Sequence, residues 1–431
     1  MPNRNDPLRP VRPARALDCG FKVKFYPFAG HPNSDTCWSL SAGPEGRIYA
    51  AACSETTPGE RVVIFRYDDK KDVLENLFDM DTVVDDPRDS GRATQCKVHY
   101  SFVPSVSDHR LYMATHLSGP PLGEEFYNPW LSWHDPKRCF RGSALVAYDV
   151  KKDQVLWWET LFAKEGCRCL LHDEEAGRLY ALSYPRDHLF VYDLKKRQSR
   201  DLGRIGSINS QVLFLDSKHR VWTSDDYGHL VRYDPHQDRM DTSPYVLPHY
   251  AGPQTGWHSV LYDAVADPAS GCIYAVPWCG FPRLFRIWPL DGPWGRVEDL
   301  GPTTQEYDRT LPVNTYIDHC GGLIVAPDGY LYYVASRWPE PMGPNPYEND
   351  MEGLVWRVNP QSLERELVAI LKRPDGKAAH YVSRGAVDRN GDLFFGHLNV
   401  LRSAWPAGVF RVQPPESRRP ERPTRILRMW G

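Results

Sequence analysis

The 431-residue chain has no apolar run approaching the roughly 18 to 20 residues that a membrane-crossing helix needs, so it offers no candidate span of that kind. It also has no excess of one charge: 52 Lys and Arg stand against 55 Asp and Glu, a net charge of −3. A bulk basic surface for nucleic acid is thereby excluded, though local basic patches are not. Neither GxxxxGK[ST] nor GxSxG nor HExxH occurs, which removes the P-loop, the nucleophile elbow and the zincin helix. The N-terminus, MPNRNDPLRPVRPARALDCGF, lacks the apolar stretch of a secretory signal, and its prolines disfavour an amphipathic transit helix. The expectation is a cytoplasmic protein, or a secreted one whose signal has been removed, with residues 1–20 a flexible arm. The ten cysteines are irregularly spaced. In a long chain without a signal they read as free thiols or metal ligands rather than a disulfide framework.

What the chain does have is 14 Trp, 23 Tyr and 16 Phe, with 32 Gly and 38 Pro. Flat β-favouring side chains mixed with turn residues suit many short strands, and so many prolines would break a helical bundle. Length alone suggests two or three domains, but a repeat replaces that estimate. A turn residue followed by an apolar-aromatic strand recurs as GRIYAAAC from Gly46, HRLYMATH from His109, GRLYALSY from Gly177 and HRVWTSDD from His219, then as GCIYAVPW from Gly271, GYLYYVAS from Gly329 and GDLFFGHL from Gly391. Each copy is followed by an alternating strand ending in a polar turn, such as VVIFRYDDKKD or HLFVYDLKKRQ, and then by a shorter apolar strand. With the strand that precedes each turn, the unit is four antiparallel strands. The expectation is an all-β chain, a seven-bladed β-propeller of four-stranded antiparallel blades, with residues 1–431 a single domain and a monomer. FKVKFYPF (21–28) is a surplus strand expected to pair with the last blade near TRILRMW, and 120–141 is an insertion in the second blade. The Tyr-Asp strand endings resemble WD repeats, but the Gly-His partner and the regular period are missing.

The repeat supplies a register for one rim, where the second strands of the blades end and the first strands begin. The ends fall at Cys53, His116, Tyr184, Asp226, Trp278, Ser336 and Leu398, and the beginnings near Cys37, His99, Cys167, Asn209, His319, Cys320 and Tyr381. His99, His116 and Tyr184 meet at one place on this rim and make a candidate proton-transfer site, with hydrogen-bonded channel residues as the plain alternative. Arg204 and Arg200 are candidate cations for a carboxylate, although an exposed arginine is the commoner outcome. Tyr227 is a candidate substrate wall or a packing residue. Trp133, with Trp130 and Tyr127 on the insertion, is a candidate sugar-stacking surface or a hydrophobic anchor. His258, Cys279, Cys320 and His397 form a thiolate–imidazole set that suits a structural zinc. His319 and Cys272 compete for places in it, and buried unliganded side chains are the alternative.

The blade pattern, with KVHY around His99, YMATH ending at His116 and the LSY of Tyr184, resembles the seven-bladed propeller ulvan lyases and related uronate-polysaccharide lyases. The resemblance covers most of the chain through its blades, and the second to fourth blades through site motifs. It implies β-elimination beside a uronic acid in an anionic polysaccharide; from the charge balance and the absence of a long apolar run, no nucleic acid or membrane is expected as partner. His99 and Tyr184 become base and acid, His116 a carboxylate or hydroxyl contact, Arg204 the neutraliser and Tyr227 a substrate contact. The same resemblance implies zinc at His258, Cys279, Cys320 and His397. The long insertion and the missing secretion signal depart from that pattern. A glycoside hydrolase on the same scaffold and a non-catalytic interaction propeller are the other readings.

Overall fold

In the computed structural model, the residue that opens each recurring phrase adopts the left-handed backbone conformation. Its φ is 77° at Gly46, 54° at His109, 64° at Gly177, 60° at His219, 74° at Gly271, 81° at Gly329 and 82° at Gly391. A tight hairpin needs a residue at positive φ, and only residues that tolerate it can occupy the place. The next turn in each unit is built by a side chain. The Asp68 carboxylate accepts from the backbone N–H of Lys70 and Lys71, and Asp149, Asp193, Asp234 and Asn359 repeat the same bond pair. The structure describes residues 20–206, 210–248, 260–277, 283–303, 319–337, 352–374, 376, 379, 381–398 and 407–418. Among them no helix is long and apolar enough to cross a membrane.

Between these turns lie the strands. After β1 (Lys22–Pro27), one sheet holds β2 (Leu40–Ala42), β3 (Ile48–Ala52), β4 (Val63–Asp68) and β5 (Val73–Asp79). The next run is β6 (Lys97–Ser105), β7 (Arg110–His116), β8 (Gly142–Asp149) and β9 (Gln154–Ala163). It joins the run of β10 (Gly166–Asp173), β11 (Arg178–Tyr184), β12 (His188–Asp193) and β13 (Gln198–Arg204) through the parallel pair Tyr100 and Cys169. Three more four-stranded sheets follow. They are β14 (Phe214–Leu215), β15 (Val221–Ser224), β16 (His229–Asp234) and β17 (Arg239–Val246); β18 (Leu261–Ala266), β19 (Ile273–Pro277), β20 (Arg283–Trp288) and β21 (Arg296–Pro302); and β22 (Cys320–Val325), β23 (Leu331–Arg337), β24 (Glu352–Val358) and β25 (Arg365–Leu371). The last sheet is β26 (Val382–Val387), β27 (Leu393–His397) and β28 (Gly408–Gln413), with β1 as its outer strand. The N-terminal strand pairs antiparallel from Lys22 opposite Gln413 to Pro27 opposite Gly408. It takes the outer place that the repeat assigns to TRILRMW, whose residues 424–430 lie outside the described ones.

The core is divided between neighbouring sheets. Val63, Phe65 and Ala52 pack against Tyr26, Phe28, Phe394 and Val409, joining the sheet of β2–β5 to the sheet that contains β1. Ile64 and Tyr49 on the opposite face of β2–β5 pack against Val98, Met113 and Val146 of the next run. Ionic clasps reinforce these seams at the outer edge. Asp72, Asp153 and Asp238 each accept a hydrogen bond from the tyrosine five residues earlier, and each also meets an arginine of a neighbouring sheet: Arg411, Arg66 and Arg200 respectively. Their charges contribute little singly where exposed, so the apolar seams carry most of the stability. Phe28 is 1% exposed, with its ring centroid 4.9 Å from that of Phe65 and its N–H on the Ala407 carbonyl at 3.2 Å. Phe28→Ala is expected to cost about 3 kcal/mol in urea unfolding. A change well under about 1 kcal/mol would show that this seam does not hold the last sheet to the first.

Candidate functional site

The site lies where β6 and β10 begin and β7 and β11 end. Lys97 stands opposite His116 in the β6–β7 ladder, and Gly166 stands opposite Tyr184 in the β10–β11 ladder. Gly166 allows the two ladders to meet, because a Cβ there would lie 2.8 Å from the Leu117 nitrogen and 2.9 Å from the His116 Cα. The result is a pocket of about 250 Å³ whose lining includes Trp38, Glu55, Lys97, His99, His116, Arg168, Tyr184, Gln211 and Tyr262, with Tyr127 and Pro129 from the insertion.

Both imidazoles are buried, His99 to 3% exposure and His116 to 4%. The His99 Nδ1 lies 2.7 Å from the carbonyl oxygen of Arg168, and the His116 Nδ1 meets the Leu117 carbonyl. A carbonyl only accepts, so each Nδ1 must donate and each Nε2 carries the free lone pair. The Nε2 of His116 is buried with no hydrogen-bond partner among the described residues. Burial pushes both imidazoles well below their ordinary range, and the Lys97 ammonium, with Arg168 beside it, pushes the same way. They are therefore neutral bases at pH 7.

The His116 ring stacks on Tyr184, centroids 5.1 Å apart and planes 24° apart. The Arg168 guanidinium sits over the same tyrosine, 4.6 Å from the ring centroid. No carboxylate lies within ion-pair distance of Arg168 among the described residues, and its Nε is buried without a partner. Burial lowers its pKa, against the opposing charges of Asp187 and Glu55. On the opposite wall, Glu55 accepts from the Lys97 ammonium, the Trp38 indole and the Ser118 hydroxyl. Burial alone would raise the Glu55 carboxyl, but Lys97 and these hydrogen bonds outweigh it and hold the group below its usual range.

The structure thus brings His99, His116 and Tyr184 into one pocket. Arg204 is exposed at the end of β13 and is not among the lining residues. Arg200 is held by Asp238 at 2.7 Å and by the Tyr233 hydroxyl at 3.1 Å, in the same clasp that Arg66 and Arg411 make elsewhere. Tyr227 is 57% exposed in the turn between β15 and β16. Trp133 lies outside the pocket, with Arg186 5.3 Å and Lys164 5.7 Å from its ring centroid, while Tyr127 both lines the pocket and accepts the Phe140 N–H at 3.0 Å. Of the sulfur–imidazole set, His258 and Cys279 lie outside the described residues. Cys320 opens β22 and His397 closes β27, opposite Val382. A Cβ on Gly321, next to Cys320, would touch the Val382 carbonyl at 2.9 Å, so both ligand types stand at the same rim of adjacent sheets. Among the described residues no three His, Cys, Asp or Glu form a metal-sized group. Sequence reasoning missed Arg168, Lys97, Glu55 and Trp38. Arg168 follows Cys167 and Trp38 follows Cys37, each one place from a residue that the repeat register marks.

No protein-family model matches the chain, and no curated protein sequence does. Solved structures do match. The extracellular domain of a one-component system from B. thetaiotaomicron aligns with 90% of this chain at 12% identity and a TM-score of 0.55, and this chain spans 39% of that one. Streptogramin B lyase aligns at 9% identity and a TM-score of 0.55 over 92% of this chain and 98% of its own. The WD40 repeats of RRP9 align at 11% and 0.55 over 91% and 97%. The fold is β-propeller-like. At these identities the likeness carries the fold alone.

The two neutral imidazoles have a consequence for stability. Unfolded, each binds a proton near its ordinary pKa of about 6.5, whereas folded it does so only at lower pH. The unfolded state therefore holds more protons between those values, and stability rises with pH there. It is fully present above about pH 6.5 and falls below it by up to about 1.4 kcal/mol per pH unit for each imidazole. Urea unfolding on either side of that pH should show a shallower dependence in His116→Gln than in the native chain. Equal slopes would mean that His116 is not held neutral.

Proposed function

We propose that this chain is a polysaccharide lyase, a single seven-bladed propeller that cleaves a uronate-containing, ulvan-like glycan by β-elimination. The observation that carries the reading is the meeting, in one pocket, of two neutral imidazoles with free Nε2 lone pairs, a guanidinium without a carboxylate partner and a tyrosine. The blade count is supported by the first strands of the sheets. Residues of β2, β6, β10, β14, β18, β22 and β26 line one central cavity of about 160 Å³.

Abstraction of the C5 proton beside a carboxylate drives negative charge onto that group, so a fixed cation must offset it. Arg168 takes this role in place of Arg204, because its guanidinium already faces the pocket. His99 accepts the C5 proton at Nε2. The C4–O4 bond breaks with its electron pair leaving on oxygen, C4=C5 forms, and the Tyr184 hydroxyl protonates O4. The imidazolium and the phenolate then exchange a proton through solvent, which restores both groups. His116, stacked on the Tyr184 ring, is the carboxylate or hydroxyl contact that the resemblance implies. The Tyr184 hydroxyl has no protein partner among the described residues, which leaves it free for the leaving oxygen. Arg168 above the ring stabilises the phenolate once the proton has gone.

Incubation with ulvan, other uronate glycans and oligogalacturonate should raise the ultraviolet absorbance of unsaturated uronate. His99→Ala and Tyr184→Phe should each lower the rate by roughly 10²–10⁴-fold, and Arg168→Ala should lower it comparably. Sugar release without unsaturated product would instead mark a glycoside hydrolase, and no reaction with any glycan from folded protein would sink the enzyme reading. The set of His258, Cys279, Cys320 and His397 would hold a structural zinc that pins adjacent sheets and supplies no step of the reaction. Metal analysis should find one zinc per chain, lost in Cys320→Ser. A lower content, unaltered by that substitution, removes the metal.

A further inference from the structure

Glu55 and Lys97 stand in the pocket wall and take no part in the proton transfers above. Lys97 is 5% exposed, and its ammonium lies 4.3 Å from the centroid of the Trp38 ring. Trp38 lies nearly parallel to His99, with centroids 4.4 Å apart and planes 19° apart. Glu55 receives Lys97 Nζ, Trp38 Nε1 and Ser118 Oγ, and its own backbone N–H donates to Asp35 at 2.7 Å. One carboxylate thus fixes both the ammonium and the indole that covers His99. A buried ion pair is a poor source of stability, because desolvating two charges consumes most of what their attraction returns. Its placement is better explained by what it does to its neighbours.

We propose that the Glu55–Lys97 pair is the positioning device of this site: Glu55 holds the ammonium in the pocket wall beside both imidazoles and the indole against His99, which places a fixed positive charge next to the two rings and keeps His99 aimed into the pocket. The inference rests on the reading of those two imidazoles as the working groups of the site. Lys97 stands opposite His116 in the ladder and two residues from His99 on one strand. It is the largest single charge acting on both. Among the described residues, the other charged and titratable groups around the imidazoles include Arg168 from β10, Tyr184 from β11, Tyr100 from β6, Tyr262 from β18, Tyr127 from the insertion and Cys96, whose Sγ lies 3.9 Å from the His116 carbonyl oxygen. Arg168 adds a second positive charge. Glu55, the one carboxylate lining the pocket among the described residues, is engaged by Lys97.

Nitrogen NMR of the imidazoles tests this in the ligand-free full chain, with the two signals assigned through His99→Gln and His116→Gln. Both imidazoles should stay neutral as the pH falls through about 6.5. In the double variant Lys97→Met, Glu55→Gln, which removes both charges and leaves neither buried alone, their titration should move up by roughly one pH unit. Lys97→Arg keeps the cation and should leave the titration low. A pair that only stabilises the fold would lower the unfolding midpoint without moving these titrations. An unmoved titration in the folded double variant overturns the proposal. So does a native protein whose imidazoles titrate at or above about pH 6.5, a result that does not depend on any variant folding. No glycan is present in this experiment, so a missing lyase activity would count against the proposed function and not against the pair.

Discussion

The sheets among the described residues are apolar on both faces, and none can bury both faces except against a neighbour on each side. Ile64 and Phe65 are successive residues of β4, yet Ile64 packs against the run of β6–β9 while Phe65 packs against the sheet that contains β1. A row of such sheets would leave an apolar face bare at each end. The structure avoids this by drawing β1 onto β28, so that the beginning and end of the described chain share one sheet. That sheet packs against the sheet of β2–β5 on one side and the sheet of β22–β25 on the other. The remaining contacts follow from this closure, including the tyrosine–aspartate–arginine clasps at the outer edge.

Closure also makes the site. Inner strands that converge on one axis bring their ends together at a rim, and residues far apart in sequence become neighbours there. Trp38, His99, Arg168, Tyr184 and Tyr262 come from four sheet units and meet in one pocket. Burial then changes their chemistry. A histidine in water near neutral pH is partly charged, whereas here desolvation and two nearby cations keep the imidazoles as bases. The same burial would be costly for Lys97 alone, and Glu55 makes it tolerable. The pocket therefore combines cations with unprotonated bases, an arrangement that solvent would erase if the rim were open.

Much of the fold was legible because it depends on local backbone chemistry. The left-handed residue of each hairpin must be Gly or another tolerant residue, so Gly and His recur at a readable place. The turn aspartate must accept two backbone N–H groups, so Tyr-Asp and its relatives recur as well. The rim could be placed to within a few residues for the same reason, and it located His99, His116 and Tyr184. The cations were harder. Arg200 and Arg204 were singled out for their place in the chain, but Arg200 serves an outer clasp and Arg204 is exposed. Arg168, between two cysteines in a strand, carries no local mark of its environment. Lys97 and Glu55 likewise look like any surface pair when read as letters. The closing strand was half legible: FKVKFYPF announced itself as surplus, yet its exact partner is a matter of register.

The amino-acid sequence by itself determined the strand-and-turn grammar, the all-β class and the rim at which histidine and tyrosine collect, because these follow from residues within a few places of one another. Only the tertiary structure decided which cation faces the pocket, which nitrogen of each imidazole is free, and that a buried lysine and a half-buried glutamate lie beside them. Those properties depend on desolvation and on groups dozens of residues away. Burial and long-range charge are set by how sheets pack, and no single stretch of chain contains them.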